Sequence, residues 1–118
     1  MLIRFKKNQE KIAMGLLSFM PDEKDVKKLQ STIKQYETSE DWHLYLWKEG
    51  EDIIGAIGLM TAPEDGVTIQ HLSVNPSFRY QGIGSKMMKQ IEEMYQGKQI
   101  HSTDSTRSFL EKCLTQED

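Results

Sequence analysis

The most informative part of the sequence is residues 72–84, which read Leu72-Ser73-Val74-Asn75-Pro76-Ser77-Phe78-Arg79-Tyr80-Gln81-Gly82-Ile83-Gly84. The apolar residues at its start predict a strand that ends at Pro76, because proline cannot donate a hydrogen bond to a sheet. Arg79 and two glycines predict a loop, and a helix begins directly after it. The first amides of a helix lack intrahelical acceptors and lie at the positive end of its dipole. Gly82 and Gly84 carry no Cβ, so an anion can approach those amides closely.

This strand–loop–helix can bind a phosphate or pyrophosphate, or its glycines can serve only as turn residues. It is not a P-loop, because no Gly-Lys-Ser/Thr follows four residues after a first glycine. It is not the dinucleotide-binding fingerprint either, since Met87 stands where a third glycine would be needed. The spacing alone leaves an anion site and a plain turn as open alternatives.

The rest of the chain predicts a mixed α/β fold with the element order β-α-α-β-β-β-α-β-α. Strands are predicted over residues 2–6, 42–47, 53–60, 67–74 and 98–102, and helices over 12–20, 26–36, 83–95 and about 104–114. In the first helix Ile12, Leu16, Phe19 and Met20 recur at helical spacing and are expected to face the core. A helix crosses between the fourth and fifth strands, which therefore run parallel, whereas the earlier hairpins are antiparallel.

Two local features refine this outline. Gly55 and Gly58 weaken the strand that contains them, so each predicts a bulge or a close backbone approach, or both are simply tolerated in a half-exposed strand. Asp104 or Ser105 is predicted to cap the last helix.

Composition describes a single domain over residues 1–118. Hydrophobic residues make up 37% of the chain, enough for one compact core. Fifteen Lys and Arg against 18 Asp and Glu give a net charge of −3, so we expect no nucleic-acid partner. The lysines of the second helix are interpreted as a solvated face; they are Lys24, Lys27, Lys28 and Lys34.

Features that the sequence lacks exclude several kinds of binding site and cellular location. One cysteine, Cys113, excludes an intrachain disulfide, and His43, His71 and His101 are too scattered for a zinc site, so no metal is expected. No apolar run approaches the roughly 20 residues that span a bilayer, and residues 1–7 lack the features of a signal peptide. We therefore expect a cytoplasmic protein without a membrane partner, whose last residues, about 115–118, are flexible.

The loop resembles the acyl-CoA pyrophosphate motif of the GCN5-related N-acetyltransferase (GNAT) superfamily, in the pattern Arg79-x-x-Gly82-x-Gly84 preceded by Leu72-x-Val74-x-Pro76. That family carries the motif on the same strand–loop–helix, after a similar antiparallel meander and paired N-terminal helices. The resemblance spans residues 1–114, and residues 72–88 carry its specific part. Residues 11–21 and 52–58 extend the likeness to the acetyltransferase-like proteins of bacterial riboflavin operons.

The resemblance implies an acetyl-CoA-dependent N-acetyltransferase that acts on an unidentified small-molecule or protein amine by direct attack. Its cofactor would be acetyl-CoA, CoA or another acyl-CoA. The implied cofactor-binding residues are Leu72, Ser73, Val74, Arg79, Tyr80, Gln81, Gly82, Ile83, Gly84, Ser85 and Lys86. Leu72 and Val74 would offer main-chain groups to the pantetheine arm as an added strand would. The amides of residues 80–85 would hold the pyrophosphate, with Arg79 and Lys86 adding positive charge.

The resemblance also implies how the thioester is reached. In the family the fourth and fifth strands diverge after a bulge, which would fall at Gln70 or His71. A main-chain amide near Leu72 would polarise the thioester carbonyl. His71 is the candidate general base, with a hydrogen-bonded structural histidine as the alternative.

Two departures from the family pattern bear on activity. The family tyrosine that protonates the departing CoA thiolate is replaced by Leu110, which has no proton to give, and Cys113 nearby is interpreted as a packing residue. The chain stops at Asp118, so the final hairpin of the family is expected to be absent. The fifth strand would then be an exposed edge that a homodimer covers.

Three classes of function follow from these features. The first is the N-acetyltransferase. The alternative is a catalytically weak or inactive acyl-CoA-binding or regulatory module, or an interaction partner. The third is a structural interaction domain that binds no acyl-CoA.

Overall fold

One mixed sheet organises the chain. The computed structural model describes residues 1–20, 25–78 and 81–114. The strands are β1 (Leu2–Arg4), β2 (Trp42–Glu49), β3 (Asp52–Ala62), β4 (Gly66–Val74) and β5 (Ile100–Ser102), and the helices are α1 (Glu10–Leu17), α2 (Val26–Thr38), α3 (Ile83–Met94) and α4 (Asp104–Leu114). The strand order is β1-β2-β3-β4-β5, with antiparallel neighbours except for the parallel pair β4–β5. The predicted element order and mixed sheet are confirmed.

Each face of the sheet has its own apolar core, because neighbouring residues of a strand point to opposite faces. On one face α1 and α2 contribute Ala13, Leu16, Leu17, Leu29, Ile33 and Tyr36, which pack on Leu44, Leu46 and Ala56 of the sheet. On the other face α3 contributes Ile83, Met87, Met88 and Ile91, which pack on residues including Ile57, Leu59, Leu72 and Val74. The sheet is thus a layer between helices.

The buried face of α1 differs from the prediction. The helix begins at Glu10 and buries Ala13, Leu16 and Leu17, whereas Ile12 remains 47% exposed. Phe19, which follows the helix, is also exposed. Because Leu16 fits both helical spacings, the apolar period alone could not choose between the two faces.

The start of α2 is set by Asp25, whose carboxylate accepts a hydrogen bond from the Lys27 amide at 2.8 Å. Lys27, Lys28 and Lys34 are exposed, as expected for a solvated helix face, and Lys24 lies outside the described residues. The buried positions of this helix place Tyr36, near its end, against the sheet.

Candidate active site

β4 and β5 pair over only three residues and then separate. The paired positions are Val67 with Ile100, Thr68 with His101, and Ile69 with Ser102. β4 continues beyond this point and stays paired to β3 as far as Val74. Residues 70–74 of β4 therefore have an edge that β5 does not cover, and we call the space along it the gap.

A bulge in β4 lies at the start of the gap. Gly58 of β3 is opposite His71 and the next residue, Leu59, is opposite Ile69, so Gln70 is the extra residue. A bulge bends its strand and increases the local twist, which turns the following residues away from a neighbour. The bulge predicted at Gln70 or His71 is confirmed.

The bulge also changes which edge of β4 each peptide group faces. The Val67 amide donates to Gln99, which leads into β5, whereas the Asn75 amide donates to Ile54 on β3; both N–O distances are 2.8 Å. In a regular strand these two residues, an even number apart, would face the same edge. With the extra residue the alternation shifts, so the peptide groups of Leu72 and Val74 face the gap.

The side chains of Leu72, Ser73 and Val74 in this part of β4 are buried in the protein interior. Leu72 and Val74 are buried in the core beneath α3. The Ser73 hydroxyl is also buried and donates to the Leu16 carbonyl of α1 at 2.6 Å. This segment therefore presents its main-chain groups to the gap. The hydrogen bond of Ser73 connects the segment to α1.

Thr106 marks the point where the two strands part. Its buried hydroxyl, 0% exposed, donates to the Ile69 carbonyl at 2.9 Å and accepts from the Thr103 amide at 3.0 Å. Continued parallel pairing would join that amide and carbonyl directly, so the hydroxyl stands between the strands in place of one ladder hydrogen bond. Thr103 precedes α4, and its hydroxyl accepts from the Thr106 amide at 3.3 Å. The predicted cap at Asp104 or Ser105 was therefore wrong, because both residues lie inside the helix.

The loop from β4 leads directly to the first turn of α3. Asn75 folds it, since its carboxamide oxygen accepts from the Ser77 amide at 2.9 Å. Arg79 and Tyr80 lie outside the described residues. Gly82 caps the helix with a left-handed backbone (φ 73°, ψ 19°), and apart from its chain neighbours no atom of the described residues comes within 4 Å of the position of a Cβ there.

The residues predicted around this turn differ in exposure. Gln81 and Lys86 are exposed, Gly82 and Ser85 are half-buried, and Ile83 and Gly84 are buried. Within the described residues, the space that a Cβ would fill at Gly82, at the start of α3, is therefore open.

His71 is buried beside the bulge. It is hydrogen-bonded to Tyr36, a residue that the sequence did not assign to the site. Its Nδ1 lies 2.5 Å from the Tyr36 hydroxyl oxygen, and both side chains are 7% exposed. The centroids of these two rings are 5.6 Å apart and the rings meet edge to face, and the Trp42 ring also meets Tyr36 edge to face, with centroids 5.2 Å apart. Tyr36 is 35 residues away from His71 in the sequence. Its spacing in the predicted second helix indicated only that its side chain would lie in the core.

Gly58 makes this contact possible. A Cβ at Gly58 would overlap the Tyr36 hydroxyl and come within 3.0 Å of a ring carbon. The close approach predicted for a glycine of this strand is confirmed at Gly58.

The other site residues that the sequence suggested either lie apart from the gap or have side chains outside the described part of the chain. Leu110 and Cys113 are residues of α4 whose side chains are outside the described part of the chain. His101 is bonded to the Asp65 carbonyl at 2.8 Å. His43, on β2, is half-buried; burial and, secondarily, Arg4 lower the pKa of its imidazole.

Tyr95, at the end of α3, packs on the opposite side of the sheet from Tyr36. Burial raises the pKa of its hydroxyl to about 12, and a hydrogen bond with Tyr45 contributes. Since Tyr45 is on β2, two strands from β4, this tyrosine pair is separate from the gap.

Residues 1–20, 25–78 and 81–114 contain neither a cluster suited to a metal ion nor a membrane-spanning helix. No group of three or more His, Cys, Asp or Glu side chains in these ranges could hold a metal ion. No helix in the same ranges is long and apolar enough to cross a membrane. An open groove of about 830 Å³ lies between α3, β5 and α4, and it does not include residues 70–74.

Comparison with known sequences identifies relatives. The model of the Acetyltransferase (GNAT) family matches residues 6–113. A protein of Bacillus methanolicus named "Uncharacterized N-acetyltransferase in lysA 3'region" is 60% identical over 113 residues, which cover 96% of this chain and 94% of the relative.

Solved acetyltransferase structures share the fold. AAC(6')-Iy in complex with the bisubstrate analog CoA-S-monomethyl-acetylneamine has a TM-score of 0.75 and 13% identity, covering 98% of this chain and 86% of that one. The IAA acetyltransferase from Bacillus cereus ATCC 14579 has a TM-score of 0.70 and 18% identity, covering 98% and 73%.

Proposed function

Because this chain belongs to the GNAT family of acetyltransferases, we propose that it is an acetyl-CoA-dependent N-acetyltransferase whose amine substrate attacks the thioester directly. The observation that carries this proposal is the gap between β4 and β5, which begins at the Gln70 bulge and presents main chain. In this proposal the gap receives the extended arm of an acyl-CoA.

The residues around the gap fit an acyl-CoA. Peptide groups of Leu72 and Val74 bond the pantetheine arm, which extends the sheet as an added strand. The first turn of α3, from Gln81 to Lys86, holds the pyrophosphate where Gly82 leaves its approach open. Arg79 and Tyr80, outside the described residues, complete this site in the proposal. The thioester supplies an activated acyl group.

Two groups of the chain act on the reacting centre in this proposal. A main-chain amide near Leu72 polarises the thioester carbonyl, as a small oxyanion hole does. His71, directly before it in β4, is the general base for the amine, acting at contact distance or through one water. Leu110 stands at the position of the family's proton-donating tyrosine and cannot act as an acid.

The acceptor is an amine, carried by a small molecule or a protein. The resemblance to RibT, the acetyltransferase-like protein of bacterial riboflavin operons, supports amines of flavin metabolism as the first class to test and a cytoplasmic location. The fold alone does not select the acceptor, because function is determined by the site built on it.

A second function, a weakly active or inactive acyl-CoA-binding module that regulates or joins a partner, is favoured by one observation. Leucine at position 110 removes the family's acid. Binding and turnover distinguish the two functions.

Calorimetry tests the acyl-CoA site. We expect acetyl-CoA and CoA to bind the whole chain with measurable heat and to raise its melting temperature, because a ligand that binds only the folded state stabilises it. Absence of both effects at millimolar ligand would refute the acyl-CoA site and leave the structural interaction domain.

Thiol release tests transfer. Acetyl-CoA is mixed with flavin-pathway amines, polyamines, amino sugars and peptides, and free CoA thiol is followed with time. We expect turnover with at least one amine class above the rate of acetyl-CoA hydrolysis without amine. Binding without turnover across the panel would instead support the module.

We also propose that the chain forms a homodimer through β5. Within the described ranges β5 pairs only with β4, so its other edge offers unpaired main-chain groups to a second copy. Light scattering on a size-exclusion column should give twice the chain mass of 13.7 kDa. A mass of one chain throughout the micromolar range would contradict the dimer.

A further inference from the structure

The Thr106 hydroxyl lies where the next hydrogen bond between β4 and β5 would form. The Val67 amide donates to the Gln99 carbonyl at 2.8 Å, and the bonds of a parallel pair recur at every second residue of each strand. That repeat would join the Thr103 amide to the Ile69 carbonyl. Instead, the amide donates to the Thr106 hydroxyl oxygen at 3.0 Å, and the hydroxyl donates to the carbonyl at 2.9 Å. One side chain thus replaces one bond of the sheet.

Packing and further hydrogen bonds hold this hydroxyl in place. Thr106 is 0% exposed and lies in the first turn of α4. The Thr103 hydroxyl oxygen is 3.1 Å from the Thr106 hydroxyl oxygen, and it accepts from the Thr106 amide at 3.3 Å. When the Thr103 hydroxyl donates to Thr106, the Thr106 proton remains for the Ile69 carbonyl. This network attaches the start of α4 to the last residue of β4 before the bulge.

The place of Thr106 relates it to one end of the gap. β4 runs from Ile69 through the bulge residue Gln70 to Val74, and α3 follows along the chain. In the proposed complex the pyrophosphate lies at the start of α3 and the pantetheine arm lies along Val74 and Leu72. The acyl group, at the far end of the arm, is therefore directed toward Gln70. Thr106 is bonded to the residue before Gln70, so it acts at the acyl end of the gap.

We propose that Thr106 is a positioning residue that keeps the acyl end of the gap wide enough for an acetyl group. The inference rests on the proposed acyl-CoA site. Without the hydroxyl, the Thr103 amide and the Ile69 carbonyl both lose this partner, and a direct bond between them replaces it. That bond draws the end of β5 toward β4 and narrows the gap at Gln70. Thr106 thus acts through the two strands and does not itself need to touch the ligand.

Two variants that differ by one oxygen test this role. Thr106→Ala and Thr106→Ser both remove the methyl group, but only alanine also removes the hydroxyl. By calorimetry, we expect Thr106→Ala to bind acetyl-CoA at least about tenfold more weakly and CoA within about twofold of the parent chain, because CoA has no acyl group to fit. Thr106→Ser should bind both ligands within about twofold of the parent chain. A general loss of structure would weaken both ligands, so the ratio of the two affinities reports on the acyl end.

The matched control is Thr38→Ala. Thr38 also donates its hydroxyl to a main-chain carbonyl, that of Lys34, at 2.9 Å, but this bond lies within α2. We expect the affinities of this variant for acetyl-CoA and CoA to equal those of the parent chain. If Thr38→Ala or Thr106→Ser lost acetyl-CoA affinity as Thr106→Ala does, the hydroxyl of Thr106 would not be the cause, and the inference would be refuted.

A second measurement needs no ligand. Scalar couplings across hydrogen bonds, measured by NMR on the ¹⁵N,¹³C-labelled chain, report which carbonyl each amide bonds. We expect no coupling between the Thr103 nitrogen and the Ile69 carbonyl carbon in the parent chain or in Thr106→Ser, and a coupling in Thr106→Ala. Its absence in Thr106→Ala would contradict the closing of the strands. A coupling in the parent chain would overturn the inference, whether or not the variants fold.

The outcomes separate this inference from the proposed function. If the parent chain binds acetyl-CoA, and Thr106→Ala binds acetyl-CoA and CoA in the same ratio as the parent, the role of Thr106 is refuted and the acyl-CoA site stands. If the parent chain binds neither ligand, the acyl-CoA site and the inference are refuted together.

Discussion

Replacing Gly82 with alanine will weaken CoA binding at least about tenfold, which corresponds to about 1.4 kcal/mol. Gly82 has a left-handed backbone, and alanine there costs about 1–2 kcal/mol of folding free energy. No atom of residues 1–20, 25–78 or 81–114 other than its chain neighbours lies within 4 Å of the new Cβ, so this part of the fold can accept it. The methyl group would instead occupy the approach to the first amides of α3, where the pyrophosphate is proposed to lie.

Gly97→Ala is the control for that prediction. Gly97 also has a positive φ, 81°, and no atom of the described chain, its own neighbours apart, lies within 4 Å of a Cβ, but it follows the other end of α3. The two variants should lose similar free energies of unfolding in urea, and calorimetry should show weaker CoA binding only for Gly82→Ala. Equal CoA affinities in both variants would place the pyrophosphate away from the start of α3.

Replacing Gly58 with alanine will lower the free energy of unfolding by about 2–4 kcal/mol. The new Cβ overlaps the Tyr36 hydroxyl inside a packed core, which costs about 1–3 kcal/mol. Displacing Tyr36 also breaks its hydrogen bond to His71, worth about 1 kcal/mol. Urea denaturation of the parent chain and of the variant measures the loss.

Gly15→Ala is the control for this second prediction. Gly15 lies inside α1 and does not have a positive φ, and outside the helix backbone no atom in the part of the chain that the structure describes lies within 4 Å of a Cβ. Alanine there should stabilise the chain by about 0.5–1 kcal/mol because it favours the helix. If Gly58→Ala were as stable as the parent chain, the close packing of Tyr36 on β3 would be wrong.

Local patterns predicted the order of elements, and the crossover helix predicted the parallel pair. The position of the bulge came from the family resemblance. The period of α1 failed because Ile12 and Ala13 both stand at helical spacings from Leu16, and only packing on the sheet selects Ala13. Which side chains of a helix are buried depends on the surface that the helix packs against. The helical period of the sequence carries no information about that surface.

The details of the site depended on contacts between distant residues. Tyr36 reaches His71 across 35 positions, and Thr106 reaches Ile69 across 37. Nothing local to Tyr36 distinguishes a hydroxyl that bonds a histidine from one that only packs. Thr103 was missed as a cap because Asp104 and Ser105 are equally good capping types, and the end of β5 decides which residue precedes the first turn.

The hydroxyl of Thr106 has a consequence for the energetics of ligand entry. Since it satisfies both the Thr103 amide and the Ile69 carbonyl, these two groups need no ladder hydrogen bond to each other, and the strands part at this point. An extended molecule that enters need not unzip the sheet, and the opening is preorganised during folding. Association is then opposed mainly by the ordering of the incoming molecule itself.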